Sequence, residues 1–114
     1  MSKPLSYKYK GTKGQIVELI YNLPKKGQGL IALGWKEISH PRQALLGHHV
    51  YVEPSMGLRV RYDEPTPGAK GFAGKGHFHI LNPNATSTSD IYLDKNGNPV
   101  KKNSKASHII PKEI

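Results

Sequence analysis

This 114-residue chain lacks cysteine and long apolar runs, and each absence narrows the functions that it can have. Without cysteine there are no disulfide bridges and no thiolate metal sites. No apolar run approaches the ~20 residues that cross a membrane, and the N-terminus lacks the apolar segment of a signal peptide. Hydrophobic residues make up 36% of the chain and the mean hydropathy is −0.56, so we expect a small core under a polar surface.

Acidic residues are few, and the resulting positive charge is the strongest bulk signal. Seventeen Lys and Arg residues stand against eight Asp and Glu residues, which gives a net charge of +9. Only three of the basic residues are arginines, so most of the charge lies on lysines, which suit sequence-independent attraction to phosphate backbones. The composition favours nucleic acid or another polyanion, including an acidic protein, as the partner, although a basic surface can also serve solubility alone.

The length indicates one domain over residues 1–114, and twelve glycines with nine prolines favour a turn-rich fold. Thr12 and Gln15 have the spacing of a capping box, so a helix is predicted from there to about Leu23. A second short helix is predicted over 41–47, where a proline opens the segment and a glycine closes it.

The second half of the chain has the alternation of β-strands. Strands are predicted at 48–53, 58–63 and 77–81, followed by a hairpin turning at Asn96-Gly97 and a short strand at 108–110. The segment 30–38 is ambiguous between a strand and a helix, and the basic segment 1–11 is predicted to form an arm or an irregular strand. Helices followed by antiparallel strands predict an α+β fold, with N-terminal helices packed on a four- to five-stranded antiparallel sheet.

The stretch KGHFHILNP at 75–83 contains two of the six histidines. In a strand, Phe78 and Ile80 would point to the core, and His77 and His79 would point to the opposite, outward face. The two histidines could then be metal ligands, proton carriers, or simply polar residues of an exposed strand face.

A metal site would need ligands beyond the pair in this strand. His108 or the adjacent His48-His49 could complete the set. No Asp or Glu lies close in sequence to orient such ligands, and Asp90 and Asp94 could approach only through strand pairing. The sequence therefore favours a site without a metal or another cofactor.

Cleavage of RNA without a metal is the other chemistry that these residues suit. The 2′-hydroxyl attacks the neighbouring phosphorus when one group removes its proton and another protonates the leaving 5′-oxygen. Histidine can do both near neutral pH, and a cation stabilises the phosphorane. The predicted catalytic residues are His77, His79, His108 and Ser107. The predicted substrate-binding residues are Arg59 and Arg61 on one strand face, Lys70 and Lys75 in the glycine-lysine loop 66–76, and Lys101.

Two stretches of the C-terminal third are GKGHFHILNPN at 74–84 and DIYLDKNGNPVKKNSKASHIIP at 90–111. They resemble the C-terminal effector domains of bacterial polymorphic toxins of the contact-dependent, Rhs and LXG types, and in particular the ribonuclease group of barnase, EndoU, colicins and RelE. The resemblance implies a cytotoxic endoribonuclease that leaves a 2′,3′-cyclic phosphate, with tRNA as a candidate target. It implies His77 or His79 as acid or base, and Ser107-His108 as the partner.

The same resemblance implies a route of delivery and a protein partner. The domain would be delivered as part of a larger carrier and would act in the cytoplasm of a target cell. An acidic immunity protein would neutralise it, and the domain would be a monomer outside that complex.

Two other functions stay open on the residues alone. One is a non-catalytic module that binds RNA or another polyanion through Arg59, Arg61 and the loop 66–76. The other is a metal-dependent DNase toxin built around the three histidines of the predicted catalytic set.

Overall fold

The computed structural model describes residues 12–111, and the predicted arm or strand at 1–11 lies outside this range. The first helix, α1, spans Lys13–Tyr21. Its capping box is confirmed, because the Gln15 amide donates to Thr12 Oγ1 at 3.2 Å and the Thr12 amide donates to Gln15 Oε1 at 2.7 Å. The helix ends two residues before the predicted limit, and Leu23 is buried just beyond it.

Short elements connect α1 to the sheet. The ambiguous segment divides into a helix, α2 (Gly29–Ala32), and a strand, β1 (Lys36–Glu37). The predicted short helix is α3 (Pro41–Leu45). His40 caps α3, because its Nδ1 accepts a hydrogen bond from the Arg42 amide at 3.2 Å. None of the helices within 12–111 is long and apolar enough to cross a membrane.

The fold is α+β, as predicted, around one antiparallel sheet in the strand order β1-β2-β3-β4-β5-β6. The remaining strands are β2 (His48–Val52), β3 (Arg59–Asp63), β4 (His77–Leu81), β5 (Tyr92–Leu93) and β6 (Pro99–Val100). The predicted count of four or five strands is wrong, because β1 adds a sixth strand at the edge beside β2. The last two strands form the predicted hairpin, in which Gly97 adopts a φ of 80°.

One face of the sheet forms the hydrophobic core. Val60 and Tyr62 of β3 are buried there together with Phe78 and Ile80 of β4, as the alternation predicted. The same cluster includes residues from α1, from α2 and from the segments that follow these helices, namely Ile16, Ile20, Leu23, Leu30 and Trp35.

The opposite face is covered where the sequence predicted an outward surface. His77 and His79 do point away from Phe78 and Ile80, but they are only 5% and 3% exposed, so the prediction of an exposed histidine face is wrong. Residues of loop 66–76 and of the C-terminal segment cover the side chains of His77 and His79. Ile109 forms an isolated bridge to Phe78, with N–H···O bonds of 2.8 Å in both directions, in place of the predicted strand at 108–110.

Candidate active site

Strand register brings the polar side chains of β3 and β4 together on the covered face. Asp63 lies opposite His77, and Arg61 lies opposite His79. Tyr92 of β5 lies opposite Leu81 and presents its ring to His79, with 4.7 Å between the ring centroids. Side chains that alternate along each strand are therefore aligned across three strands.

His108 completes a group of three imidazoles with His77 and His79, which we call the histidine cluster. The ring centroid of His108 lies 4.9 Å from that of His77 and 4.6 Å from that of His79, and the two strand histidines are 5.0 Å apart. One ring nitrogen of each residue lies within 4.8 Å of the others. The bridge between Ile109 and Phe78 accounts for this proximity, because it fixes His108, the residue before Ile109, beside β4.

The hydrogen bonds of His77 define its protonation. Its Nδ1 lies 2.9 Å from the Lys75 carbonyl oxygen, and its Nε2 lies 3.2 Å from Asp63 Oδ2. Both partners are acceptors, so both ring nitrogens carry protons when both interactions form. Burial disfavours the charged imidazolium, but the interactions with Asp63 and the carbonyl outweigh this cost, and the pKa of His77 is raised above its usual 6.5.

His108 has a different pattern. Its Nδ1 lies 3.0 Å from the Ser104 carbonyl oxygen, so Nδ1 is the donor and the neutral ring keeps its lone pair on Nε2. The ring stacks on Phe72 at a centroid distance of 4.2 Å and an interplanar angle of 15°. Loop 66–76 thus supplies an aromatic wall through Phe72, whose 3₁₀ turn spans Gly71–Gly74.

His79 is the most deeply buried member of the cluster. Among the described residues, its Nδ1 has no hydrogen-bond partner, and its Nε2 lies 3.6 Å from Asp63 Oδ2. Burial, reinforced by the positive charge of Arg61, lowers the pKa of His79 to about 3. A histidine whose pKa is raised, His77, therefore lies beside one whose pKa is lowered, His79.

Asp63 is the residue that the sequence reasoning missed. It accepts hydrogen bonds from Arg61 at 2.9 Å on Oδ1 and 2.8 Å on Oδ2, and His48 Nδ1 lies 2.8 Å from Oδ1. Burial alone would raise its pKa, but the interactions with His77, Arg61 and His48 hold that pKa well below its usual range. No Asp or Glu is close to the histidines in sequence, but strand pairing places Asp63 beside His77, and the register of β3 against β4 is the signal that would have revealed it.

The cluster borders a pocket of about 240 Å³. It is lined by Arg61, Asp63, His77, His79, Tyr92, Lys102, Asn103 and His108. Arg61 also donates to the Tyr92 hydroxyl at 3.2 Å, so the guanidinium is held from two sides. Tyr92, Lys102 and Asn103 were not predicted from the sequence, because they reach the pocket through the β5-β6 hairpin and the segment after it.

The other predicted site residues lie elsewhere. Lys70 and Lys75 are exposed and do not line the pocket. Arg59 lies at a separate depression near Leu81, although it shares the strand face of Arg61. Lys101 lines an adjoining cavity of about 340 Å³. Two residues, Lys102 and Asn103, line both this cavity and the pocket beside the histidine cluster.

Ser107 is fully buried and contacts His108 from behind. Its hydroxyl donates to the Ser104 carbonyl at 2.8 Å, and it lies 3.4 Å from His108 Nδ1. It does not line the histidine pocket. The hydroxyl therefore holds the backbone turn that orients the His108 ring.

Comparison with known proteins adds no relative to this description. No protein-family model matches the sequence, and no curated protein or solved structure is significantly similar to it.

Proposed function

We propose that this chain is a metal-independent endoribonuclease that cleaves RNA by attack of the 2′-hydroxyl, leaving a 2′,3′-cyclic phosphate. The observation that carries the proposal is the convergence of three imidazoles, with ring centroids 4.6–5.0 Å apart, on a pocket that also contains Arg61. Proton transfer by positioned histidines and charge stabilisation by a fixed guanidinium are what this cleavage requires.

His108 is the proposed general base. It is half-buried, whereas the other two histidines are buried, so it is the member of the cluster that a substrate meets at the pocket rim. Because its Nδ1 proton is donated to the Ser104 carbonyl, the lone pair on Nε2 is available to take the proton of the 2′-hydroxyl. The 2′-oxygen then forms a bond to phosphorus, and the 5′-oxygen leaves.

His77 is the proposed general acid. It is the member of the cluster with an acceptor at each ring nitrogen, so it carries the additional proton. The leaving 5′-oxygen competes with Asp63 Oδ2 for the Nε2 proton and takes it as negative charge develops on that oxygen. In this scheme His79 remains neutral and packs against both reacting rings.

Arg61 is the proposed stabiliser of the phosphorane. Its side chain is fixed by two hydrogen bonds to Asp63 and one to Tyr92, so little reorganisation is needed when charge develops. Lys102 lines the same pocket and Lys101 lines the adjoining cavity, which supports a path for the phosphate backbone past the cluster.

The test is incubation of the purified protein with total RNA in EDTA, beside DNA of similar length. We expect fragments of RNA that end in a 2′,3′-cyclic phosphate and intact DNA, because DNA has no 2′-hydroxyl. RNA that stays intact in EDTA but is cleaved after addition of a divalent ion would replace this mechanism by a metal-dependent one. RNA that is bound but never cleaved would indicate the non-catalytic RNA-binding module instead.

We further propose that the domain acts as a toxin inside a target cell, carried there by a larger protein and held in check by an acidic immunity protein. The net charge of +9 and the exposed Lys70, Lys75 and Lys101 support an acidic partner. Co-expression tests this: production of the domain should inhibit cell growth only when the histidine cluster is intact, and growth should recover when the immunity protein is produced in the same cells.

A further inference from the structure

We propose that the histidine cluster is also a binding site for one Zn²⁺ ion, and that the bound ion blocks the pocket rather than activating water in it. The binding part is independent of the proposed ribonuclease activity, and the blocking part rests on it. Among residues 12–111 the cluster is a set of three histidines with one ring nitrogen of each within 4.8 Å of the others.

The hydrogen bonds at Nδ1 prepare two of the ligands. His77 Nδ1 donates to the Lys75 carbonyl at 2.9 Å, and His108 Nδ1 donates to the Ser104 carbonyl at 3.0 Å. Metal-bound histidines characteristically donate the other ring N–H to a carbonyl or a carboxylate, which fixes the ring and leaves the second nitrogen for the ion. Both rings therefore offer Nε2.

His79 provides the independent observation that points to a ligand. It is 3% exposed, and its Nδ1 has no hydrogen-bond partner among the described residues. A buried polar atom without a partner costs free energy, and coordination of an ion at Nδ1 would recover it. His79 thus has coordinating capacity that residues 12–111 do not use.

Asp63 lies beside the cluster. Its Oδ2 is 3.2 Å from His77 Nε2 and 3.6 Å from His79 Nε2, and both of its oxygens already accept hydrogen bonds from Arg61. Among the described residues, the group of ligand atoms within 4.8 Å of one another consists of the three histidines. Asp63 would therefore supply negative charge next to the ion, and the ion would act on cleavage through the histidines that it occupies.

Binding of the ion would remove the groups that the proposed cleavage uses. Zn²⁺ would replace the Nε2 proton of His77, which is released to solvent, and it would occupy the lone pair of His108. The acid and the base would be lost together. Zn²⁺ would therefore inhibit cleavage, and a chelator would restore it.

The experiment is calorimetric titration of chelator-treated, dialysed protein with Zn²⁺, combined with RNA cleavage at each zinc concentration. We expect one ion per chain and a loss of cleavage that follows occupancy. In His79→Gln and His108→Gln the affinity should fall by more than the about 10- to 100-fold that removal of an outer-shell partner causes. Two variants are used because the first replaces a buried ring and the second a half-buried one.

His49→Gln is the matched control. His49 also contacts carboxylates, with Glu37 2.9 Å from Nδ1 and Glu64 2.6 Å from Nε2, but these lie on opposite sides of the ring and cannot converge on one ion. Its zinc affinity should equal that of the unmodified protein. The zinc site would be overturned if all variants bound Zn²⁺ with equal affinity, if only His49→Gln lost affinity, or if the unmodified protein did not bind Zn²⁺.

The two measurements test the two proposals separately. Calorimetry measures zinc binding even if the chain cleaves no RNA, so the zinc site can be tested without any ribonuclease activity. Cleavage that requires Zn²⁺ would overturn both the blocking role and the metal-independent mechanism, while the binding site itself would stand.

Discussion

The two faces of the sheet each carry a histidine among charged side chains, and the two groups differ in how their hydrogen bonds are matched. On the core side of β2, both ring nitrogens of His49 contact carboxylates, Glu37 and Glu64. On the opposite face, one carboxylate, Asp63, serves three side chains, those of His48, His77 and Arg61. The first group is saturated, whereas the second keeps ring nitrogens that are not engaged by the described residues.

Whether the ring nitrogens are engaged separates a structural group from one that is suited to chemistry. Both nitrogens of His49 are engaged, so the ring connects β1, β2 and the residue after β3, and its pKa is raised because hydrogen bonds to the two glutamates outweigh burial. In the cluster, His79 Nδ1 has no hydrogen-bond partner within residues 12–111, and His108 keeps a lone pair on Nε2. Unused hydrogen-bonding capacity in a pocket is what a substrate or an ion can occupy.

Replacement of a cluster histidine should have the largest effect. In His108→Gln we expect RNA cleavage in EDTA to fall by about 10²- to 10⁴-fold, the usual contribution of a positioned acid or base. In His49→Gln we expect a rate within a few-fold of the unmodified protein, after both variants are shown to be folded by circular dichroism. Similar losses in both variants would remove the distinction between the two groups.

The two arginines of β3 should differ less strongly. Arg61→Lys keeps the charge but loses the forked contact with both oxygens of Asp63, so we expect kcat to fall by about 10- to 100-fold. Arg59→Lys, on the same strand face but outside the pocket, should leave kcat nearly unchanged. Steady-state kinetics at fixed ionic strength measure both, and equal kcat values would exclude Arg61 from the reaction.

The saturated group should affect stability, with a defined dependence on pH. The folded pKa of His49 lies above its unfolded value of about 6.5. Its contribution is therefore fully present below that value and is lost as pH rises through the folded pKa. We expect the stability difference between the protein and His49→Gln to be about 1 kcal/mol at pH 5.5, since the pair with the two glutamates is partly exposed, and to shrink toward pH 8.5. Urea unfolding at both values measures it, and a difference that grows with pH would contradict this assignment.

The local parts of the fold were predictable from short-range patterns. The capping box at Thr12, the Asn96-Gly97 turn and the alternation that buries Phe78 and Ile80 each depend on residues a few positions apart. The strand count was not predictable, because β1 has only two residues and no alternation of its own.

The site was predictable in its residue types but not in its environment. The three histidines and Arg61 were identified as candidates, and the structure brings them to one pocket. The burial of His77 and His79 could not be derived, because their cover comes from Phe72 and His108, at long sequence distances from each other. Asp63 was missed because only the register across β3 and β4 places it beside His77.

The pocket places His77, whose pKa is raised, beside His79, whose pKa is lowered, and NMR titration of the imidazole nitrogens in chelator-treated protein tests this division most directly. We predict that His77 titrates above pH 6.5, because Asp63 and the Lys75 carbonyl hold both of its protons, and that His79 stays neutral down to about pH 3. If His79 instead became charged at a higher pH than His77, or if both titrated together, the proposed division of roles in the cluster would be contradicted.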